Sequence, residues 1–274
     1  MAKKSLRNIP FIFFAIVGTL ATVVAIFFLK SFFREPVYLY TKVKVSQGLW
    51  WASTTKPNLW MAKSVNVGDS EENLLGQKIV EVQEVRYYPY FAFFSENNPY
   101  DDKYDIYITA KIAVSQSGST KKALFKRSAI GVGSPITFEF PDTQVTGTVI
   151  ALSDIPFDDE YSDKTIYLTK RLAYPWEYDA IKIGETYFDG KEMVFKILGK
   201  TQTPTAAISA DAYGNFTAQT LDQRRYLTVR ASVKLKVKGE ELFFGEEKQI
   251  KAGSLFAVVT PSYTFEEFLV SRLE

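Results

Sequence analysis

Between Pro10 and Leu29 the chain reads PFIFFAIVGTLATVVAIFFL, a run without a single charge. Backbone N–H and C=O groups cannot stay unpaired in lipid, so a bilayer-crossing segment of this kind must be helical. At about 1.5 Å per residue, a helix of about 20 residues covers about 30 Å, the hydrocarbon thickness of a bilayer. Lys3, Lys4 and Arg7 precede the run, and Lys30 and Arg34 follow it. A cleaved signal peptide would carry an apolar region of about 7–15 residues and end in a small-x-small site. Here the run closes on Ile26-Phe27-Phe28-Leu29, a poor cleavage site. The expectation is a single-pass plasma-membrane anchor, with a tail over residues 1–9 and a transmembrane helix over 10–33. Basic residues flank both ends, so the positive-inside rule is nearly balanced. The short tail lacks acidic residues, which favours a cytoplasmic N-terminus and an extracytoplasmic C-terminal region. Gly18, Thr22 and Ala25 form a small-residue stripe at helical spacing, a candidate helix–helix contact. Ordinary small residues of an anchor are the alternative. A type IV pilin would place a Glu just inside such a helix, and none is present.

Composition narrows the chemistry of the rest. The 274 residues include no Cys and no His. That excludes disulfides, thiol catalysis, zinc–thiolate sites and every His-dependent triad within this chain. Lys plus Arg number 33 against 31 for Asp plus Glu, a balance without the basic footprint that nucleic acid requires. Beyond the anchor, the remaining chain is long enough for one large domain or two of roughly 120 residues.

Past Pro36 the pattern changes to period-two alternation. Strands are predicted at 37–45, 78–85, 105–114, 136–140, 146–152, 165–169, 193–198, 226–237 and 255–259. Gly, Pro, Asn and Asp clusters punctuate them. Only the stretch from Thr264 to Leu273 reads as a short helix. Two halves line up. Val67-Gly68-Asp69 and Gly76 match Ile183-Gly184-Glu185 and Gly190, and Gly133-Ser134 matches Gly253-Ser254. Offsets of 116 residues at Gly68/Gly184 and 120 at Gly133/Gly253 favour duplication over chance. The predicted fold class is mainly β: one N-terminal transmembrane helix, then two tandem barrel-like or sandwich-like domains over 37–156 and 157–274. Two unrelated β folds with similar turn chemistry are the alternative.

The first copy with its anchor resembles an uncharacterised family of bacterial single-pass membrane proteins with a small exported β domain. The residues that carry the likeness are the anchor, Val67-Gly68-Asp69, Gly76, the strand Ile106–Val114, Val132-Gly133-Ser134-Pro135 and Thr146-Gly147-Thr148-Val149-Ile150. The resemblance implies membrane attachment and an exported β fold, and no activity. The second copy departs from the pattern where Glu267 replaces Gly147, so its last strand is expected to be altered.

The segment Arg86–Tyr104 is too aromatic for an ordinary solvated loop. Tyr87, Tyr88, Tyr90, Phe91, Phe93 and Phe94 make it a candidate partner-binding surface. The competing reading packs these rings onto the sheet or between the copies. The corresponding stretch Thr201–Asp222 reads as a long polar loop, so the copies differ most here. Trp50 and Trp51, with Trp60, form a second aromatic candidate, either core or sugar platform. The acidic run Phe157–Asp163 could offer hard oxygen ligands to Ca²⁺. It lacks the spacing of a Ca²⁺ loop and reads better as a solvated linker. Asp101, Asp102 and Asp105, and the pair Lys126 and Ser128, are the remaining catalytic candidates, and neither forms a recognisable site. The Gly131-Val132-Gly133 run lacks the third glycine and following helix of a phosphate loop. The expectation is therefore a non-enzymatic, membrane-anchored binding or scaffold component of the cell envelope. No cofactor, no metal and no nucleic acid is expected, with another envelope protein as partner and homo-oligomerisation left open. A carbohydrate-binding or carbohydrate-active protein, and an accessory subunit of a transport or secretion complex, are the alternatives.

Overall fold

The computed structural model describes residues 9–32, 37–46, 56–90, 103–116, 122–210, 213–214 and 216–274. The chain divides into two compact units, residues 1–37 and 38–274. In the first, helix α1 (Ile9–Phe32) runs for 24 residues. Side chains are described only for residue 14 and residues 16–26, so among the described residues no helix is long and apolar enough to cross a membrane.

The second unit is mainly β and holds two curled, barrel-like sheets of eight strands each. The first sheet contains β1 (Val37–Val45), β2 (Ser70–Glu72), β3 (Lys78–Pro89), β4 (Tyr104–Gln116), β5 (Ala123–Phe125), β6 (Ser128–Ala129), β7 (Pro135–Glu139) and β8 (Gln144–Ser153), with helix α2 (Leu59–Lys63) after β1. The second contains β9 (Tyr161–Ala173), β10 (Thr186–Phe188), β11 (Met193–Ala210), β12 (Phe216–Lys238), β13 (Glu241–Phe244), β14 (Lys248–Gln249), β15 (Leu255–Val259) and β16 (Thr264–Leu273), with helix α3 (Pro175–Ala180) after β9. Strand order is β2-β3-β4-β1-β8-β7 in one and β10-β11-β12-β9-β16-β15 in the other, each with a small hairpin hanging from its third strand in the path. Element for element, the two sheets have the same topology.

The glycine corners show why the sequence halves align. Gly68, Gly133, Gly184 and Gly253 all have positive φ, between 86° and 94°, at the third position of a tight turn. That conformation suits glycine and is costly for residues with a Cβ. Each corner is clamped to a long strand in the same way. Gly68 N–H donates to the Val82 carbonyl at 2.9 Å, and the Val82 N–H donates back to Asp69 at 2.9 Å. The same reciprocal pair joins Gly133-Ser134 to Val149, Gly184-Glu185 to Ile197, and Gly253-Ser254 to Val270. The clamp thus occurs twice within each domain. Across the first domain's open edges, the Glu71 carboxylate on β2 accepts the Glu139 backbone N–H of β7 at 3.0 Å. This bridge draws the edges of the curled sheet together.

The C-terminal segment is strand β16, and the helix expected there does not form. Phe265, Phe268 and Val270 are buried, a spacing of three and then two. A bulge causes it: Phe256 pairs with Phe268 and Val258 with Phe265, so Glu266 and Glu267 lie opposite Ala257 alone. Glu267 sits at φ 61°. The extra residue shifts the alternation and imitates a helical period. The same bulge moves the expected exchange of Gly147 for Glu267 by one residue. In the first domain Gly147 pairs with Val45, where an added Cβ would lie 2.4 Å from the Lys44 carbonyl oxygen. The extra residue puts Phe268 in that place, since it pairs with Phe256 as Gly147 pairs with Ile136, and pairing of β16 to β9 stops at Leu269 and Thr169.

Within the expected loop over 201–222, residues 201–210 and 216–222 are also strand. β11 and β12 stay paired from Phe195↔Val233 out to Ala210↔Phe216 and form a two-stranded arm. Thr and Ile along it favour extended backbone, which a reading based on its polarity underweights.

Gly147→Ala is expected to destabilise by about 1–3 kcal/mol, because the new methyl meets backbone it cannot displace. Gly199→Ala, where an added Cβ finds no atom nearer than 4.0 Å, serves as the control and should leave the urea midpoint close to wild type.

Candidate functional site

Each domain has its own core, and the second core recruits residues of the first domain. Tyr88 and Tyr107 are buried with Phe195, Phe244, Phe256 and their neighbours. The Tyr88 ring meets Phe244 edge-on at 5.2 Å between centroids. Such an aromatic pair contributes about 0.5–1.5 kcal/mol beyond its area burial. The turn between β10 and β11 presses against β3. Gly190 lies at φ 106°, and an added Cβ there would come within 2.6 Å of the Val85 carbonyl oxygen. Asp189 accepts the Tyr87 N–H on its backbone oxygen at 2.7 Å. Tyr187 donates its hydroxyl to the Tyr87 carbonyl at 2.8 Å.

Charged side chains fix this seam. Arg86 of β3 has only 4% of its side chain exposed, and it pairs with the fully buried Asp189 at 2.6 Å. It also reaches Glu84 at 2.5 Å and Glu192 at 3.0 Å. Asp189 accepts from the Tyr88 hydroxyl at 2.8 Å as well. Its other carboxylate oxygen takes the Lys191 and Glu192 N–H groups at 3.0 and 2.9 Å. No lone pair of that buried carboxylate is wasted, which is the condition under which a buried ion pair is tolerable.

A second cluster lies beside it. Lys42 of β1 pairs with Asp159 at 2.6 Å and Glu246 at 2.5 Å. Lys236 of β12 pairs with the same two carboxylates, each at 2.7 Å. Lys44 pairs with Glu247. Lys42, Lys236, Asp159, Glu246 and Glu247, with Phe157, Asp158, Glu160 and Lys238, line an open cleft of about 580 Å³.

The protonation energetics follow from the pairing. Burial alone would raise the Asp159 carboxyl, but hydrogen bonds from Lys236 and Lys42 hold it below its usual range. Glu84 behaves alike, with burial opposed and outweighed by Lys191 and Arg86. Burial disfavours charge on Lys42, yet the Glu246 charge and hydrogen bonds to Asp159 and Glu246 raise it above the ordinary lysine value. Lys236 falls below that value: burial dominates, and Lys42 competes for the same acids. A glycoside hydrolase needs one carboxylic acid held protonated near neutral pH. Asp159 is pushed the opposite way, so this cleft holds its two domains together and is poorly suited to donating a proton. Among the described residues, no group of three or more acids is placed to hold a metal ion.

The residues singled out from the sequence fall in different places. Tyr87 and Tyr88 lie in the seam, where Tyr88 is buried and offers no open surface to a partner. Tyr90 is 39% exposed, with the Lys56 ammonium 4.3 Å above its ring. Phe91, Phe93, Phe94, Trp50 and Trp51 lie outside the described residues, as do Asp101 and Asp102. Gly18, Thr22 and Ala25 are exposed on α1, and the Thr22 hydroxyl donates to the Gly18 carbonyl at 2.8 Å. Lys126 is ion-paired to Glu71 at 2.5 Å and thus a poor base for Ser128. Asp105 is held by Lys56 at 2.5 Å. The acidic linker is more than solvated chain, since its Asp159 joins the seam.

Arg86, Asp189, Lys42, Lys236 and Glu246 were not evident from sequence. Lys42 and Lys236 stand in alternating strands beside other lysines, Lys44 in one and Lys234 and Lys238 in the other, so nothing in the sequence marks them. No family model, curated protein or solved structure matches this chain.

Asp189→Ala should cost about 3–5 kcal/mol, since it leaves the Arg86 charge buried with poorer compensation. Removing the exposed Lys78–Glu81 pair should cost under about 1 kcal/mol, and urea unfolding separates the two cases. Seam stability should also fall in acid. The folded carboxyls of Glu84 and Asp159 titrate below their unfolded value of about 4, so their contribution is complete above it and is lost as pH drops through the folded values. For the raised Lys42 the sign reverses: its contribution is complete below the unfolded lysine value of about 10.4 and fades as pH climbs towards the folded one. Proteolysis at residues 154–158, followed against pH, reads both limbs.

Proposed function

We propose that this chain is a membrane-anchored, non-enzymatic binding or scaffold component of the cell envelope, whose paired β domains act as one rigid body. The carrying observation is the seam. Its buried Arg86–Asp189 pair and the Lys42/Lys236–Asp159/Glu246 quartet tie the domains at several independent points. A device with a working interdomain cleft would need to open and close it. Here opening would strand several buried charges at once, each at a cost of several kcal/mol. A rigid spacer is what that arrangement serves.

The anchor rests on the uncharged run within α1, the basic residues around it, and the likeness to a bacterial single-pass family with an exported β domain. In this reading the N-terminus is cytoplasmic and the two domains lie outside the plasma membrane. The partner is another envelope component.

Two measurements on the full chain test it. Because the chain lacks Cys, single cysteines can be placed freely. A cysteine at Ser153 or Glu240 should react with an impermeant maleimide in intact spheroplasts, and the protein should stay in the membrane pellet after alkaline extraction. Labelling only after lysis, or release into the alkaline supernatant, would overturn the topology.

A further inference from the structure

We infer that the end of the second domain remote from the seam carries an aromatic platform for a neutral polysaccharide; this rests on the binding reading above and names the class of ligand. Four observations converge on it.

The first is a tryptophan kept in both copies. Trp60 on α2 and Trp176 on α3 each stand six residues before the turn residue that opens the glycine corner, Asn66 in one and Lys182 in the other. Their neighbours have diverged: Asn58, Leu59 and Met61 stand against Tyr174, Pro175 and Glu177. Trp60 is 57% exposed and Trp176 61%. A ring retained for packing would be covered, whereas these two hold large apolar faces in water.

The second is rigidity. Tyr174 and Trp176 lie nearly parallel, at 17° with centroids 6.4 Å apart. The Arg224 guanidinium caps the Tyr174 ring at 3.5 Å. It donates to the Tyr174 hydroxyl at 2.5 Å and to the Leu172 carbonyl at 2.8 Å. Leu172 adopts φ 58°, a strained conformation for a residue with a Cβ, and this orients its carbonyl. Arg224 itself projects from a bulge where β12 leaves its pairing between Leu221 and Arg225. Rings fixed in advance lose little freedom on binding.

The third is the chemistry of the arm rising beside the platform. Its described side chains on β11, from Thr201 to Ala206, include three Thr and one Gln and carry no charge. Hydroxyl and amide groups match sugar hydroxyls, while the apolar C–H face of a pyranose lies flat on an exposed indole.

The fourth is placement. Strand β9 runs 13 residues from the seam at Tyr161 to the platform at Ala173, about 40 Å at about 3.3 Å per residue. One such ring in each of two copies suits a ligand that repeats its sugar unit.

The test uses the full chain in mild detergent, titrated with a soluble neutral β-glucan and with N-acetylglucosamine oligomers. An anionic polysaccharide and phosphatidylglycerol vesicles are run in parallel. Binding of a neutral glycan is expected, weakened at least tenfold by Trp176→Ala and several-fold by Trp60→Ala, with partial retention in Trp176→Phe and unchanged thermal midpoints. Absence of binding to every neutral probe, insensitivity to Trp176→Ala, or binding to the anionic polymer or vesicles alone would overturn it. Membrane extraction and cysteine labelling read the topology independently, so the envelope reading can survive the loss of this site.

Discussion

Burying Arg86 against Asp189 obliges the two domains to stay together. A guanidinium with 4% exposure and a carboxylate with none cannot be parted without leaving two charges in a poorly solvated place. Everything near the seam accommodates that demand. Gly190 supplies the close approach, Tyr88 and Tyr107 extend the second core across the boundary, and the linker's Asp159 closes the neighbouring lysine pair. Each domain keeps its own core, but Tyr88 and Tyr107 of the first lie within that of the second, so the two copies are joined by packing as well as by charge.

The same pairing explains why the charged cleft at the seam carries so little catalytic promise. Two lysines and two carboxylates in contact satisfy one another, and hydrogen bonds from Lys236 and Lys42 hold the Asp159 carboxylate in its charged form. Chemistry by proton transfer asks for the reverse, a group kept near its point of titration. The charges here resemble those of an interface, where pairing sets register and orientation.

Much of the architecture was legible because turn glycines leave a strong imprint. Gly68, Gly133, Gly184 and Gly253 gave the duplication, and the alternation in 37–45 and 255–259 gave strands at the observed bounds. Errors came where irregularity disguised the period. The bulge at Glu266 and Glu267 made β16 look helical, and hydroxyl-rich strands made the arm look like a loop. The seam was hidden for a different reason. Arg86 and Asp189 lie 103 positions apart, and neither has a neighbour in sequence that hints at the other. Long-range charge pairs leave no local pattern, so only the fold brings them into view. The paired tryptophans were half visible: Trp60 had been noticed, but its equivalence to Trp176 needed the matched helices.

Strand β12 joins the far tip to the joint between the domains. It runs from Phe216 to Lys238, carrying Arg224 at its bulge and Lys236 near its C-terminal end. On its flanks it is hydrogen-bonded to β9 and β11 along most of that length. A pull along the strand at the tip would therefore load many antiparallel bonds side by side, in shear and not one after another. Such a member acts as a tie-rod: tension applied at the periphery reaches the buried ionic lock with little extension on the way.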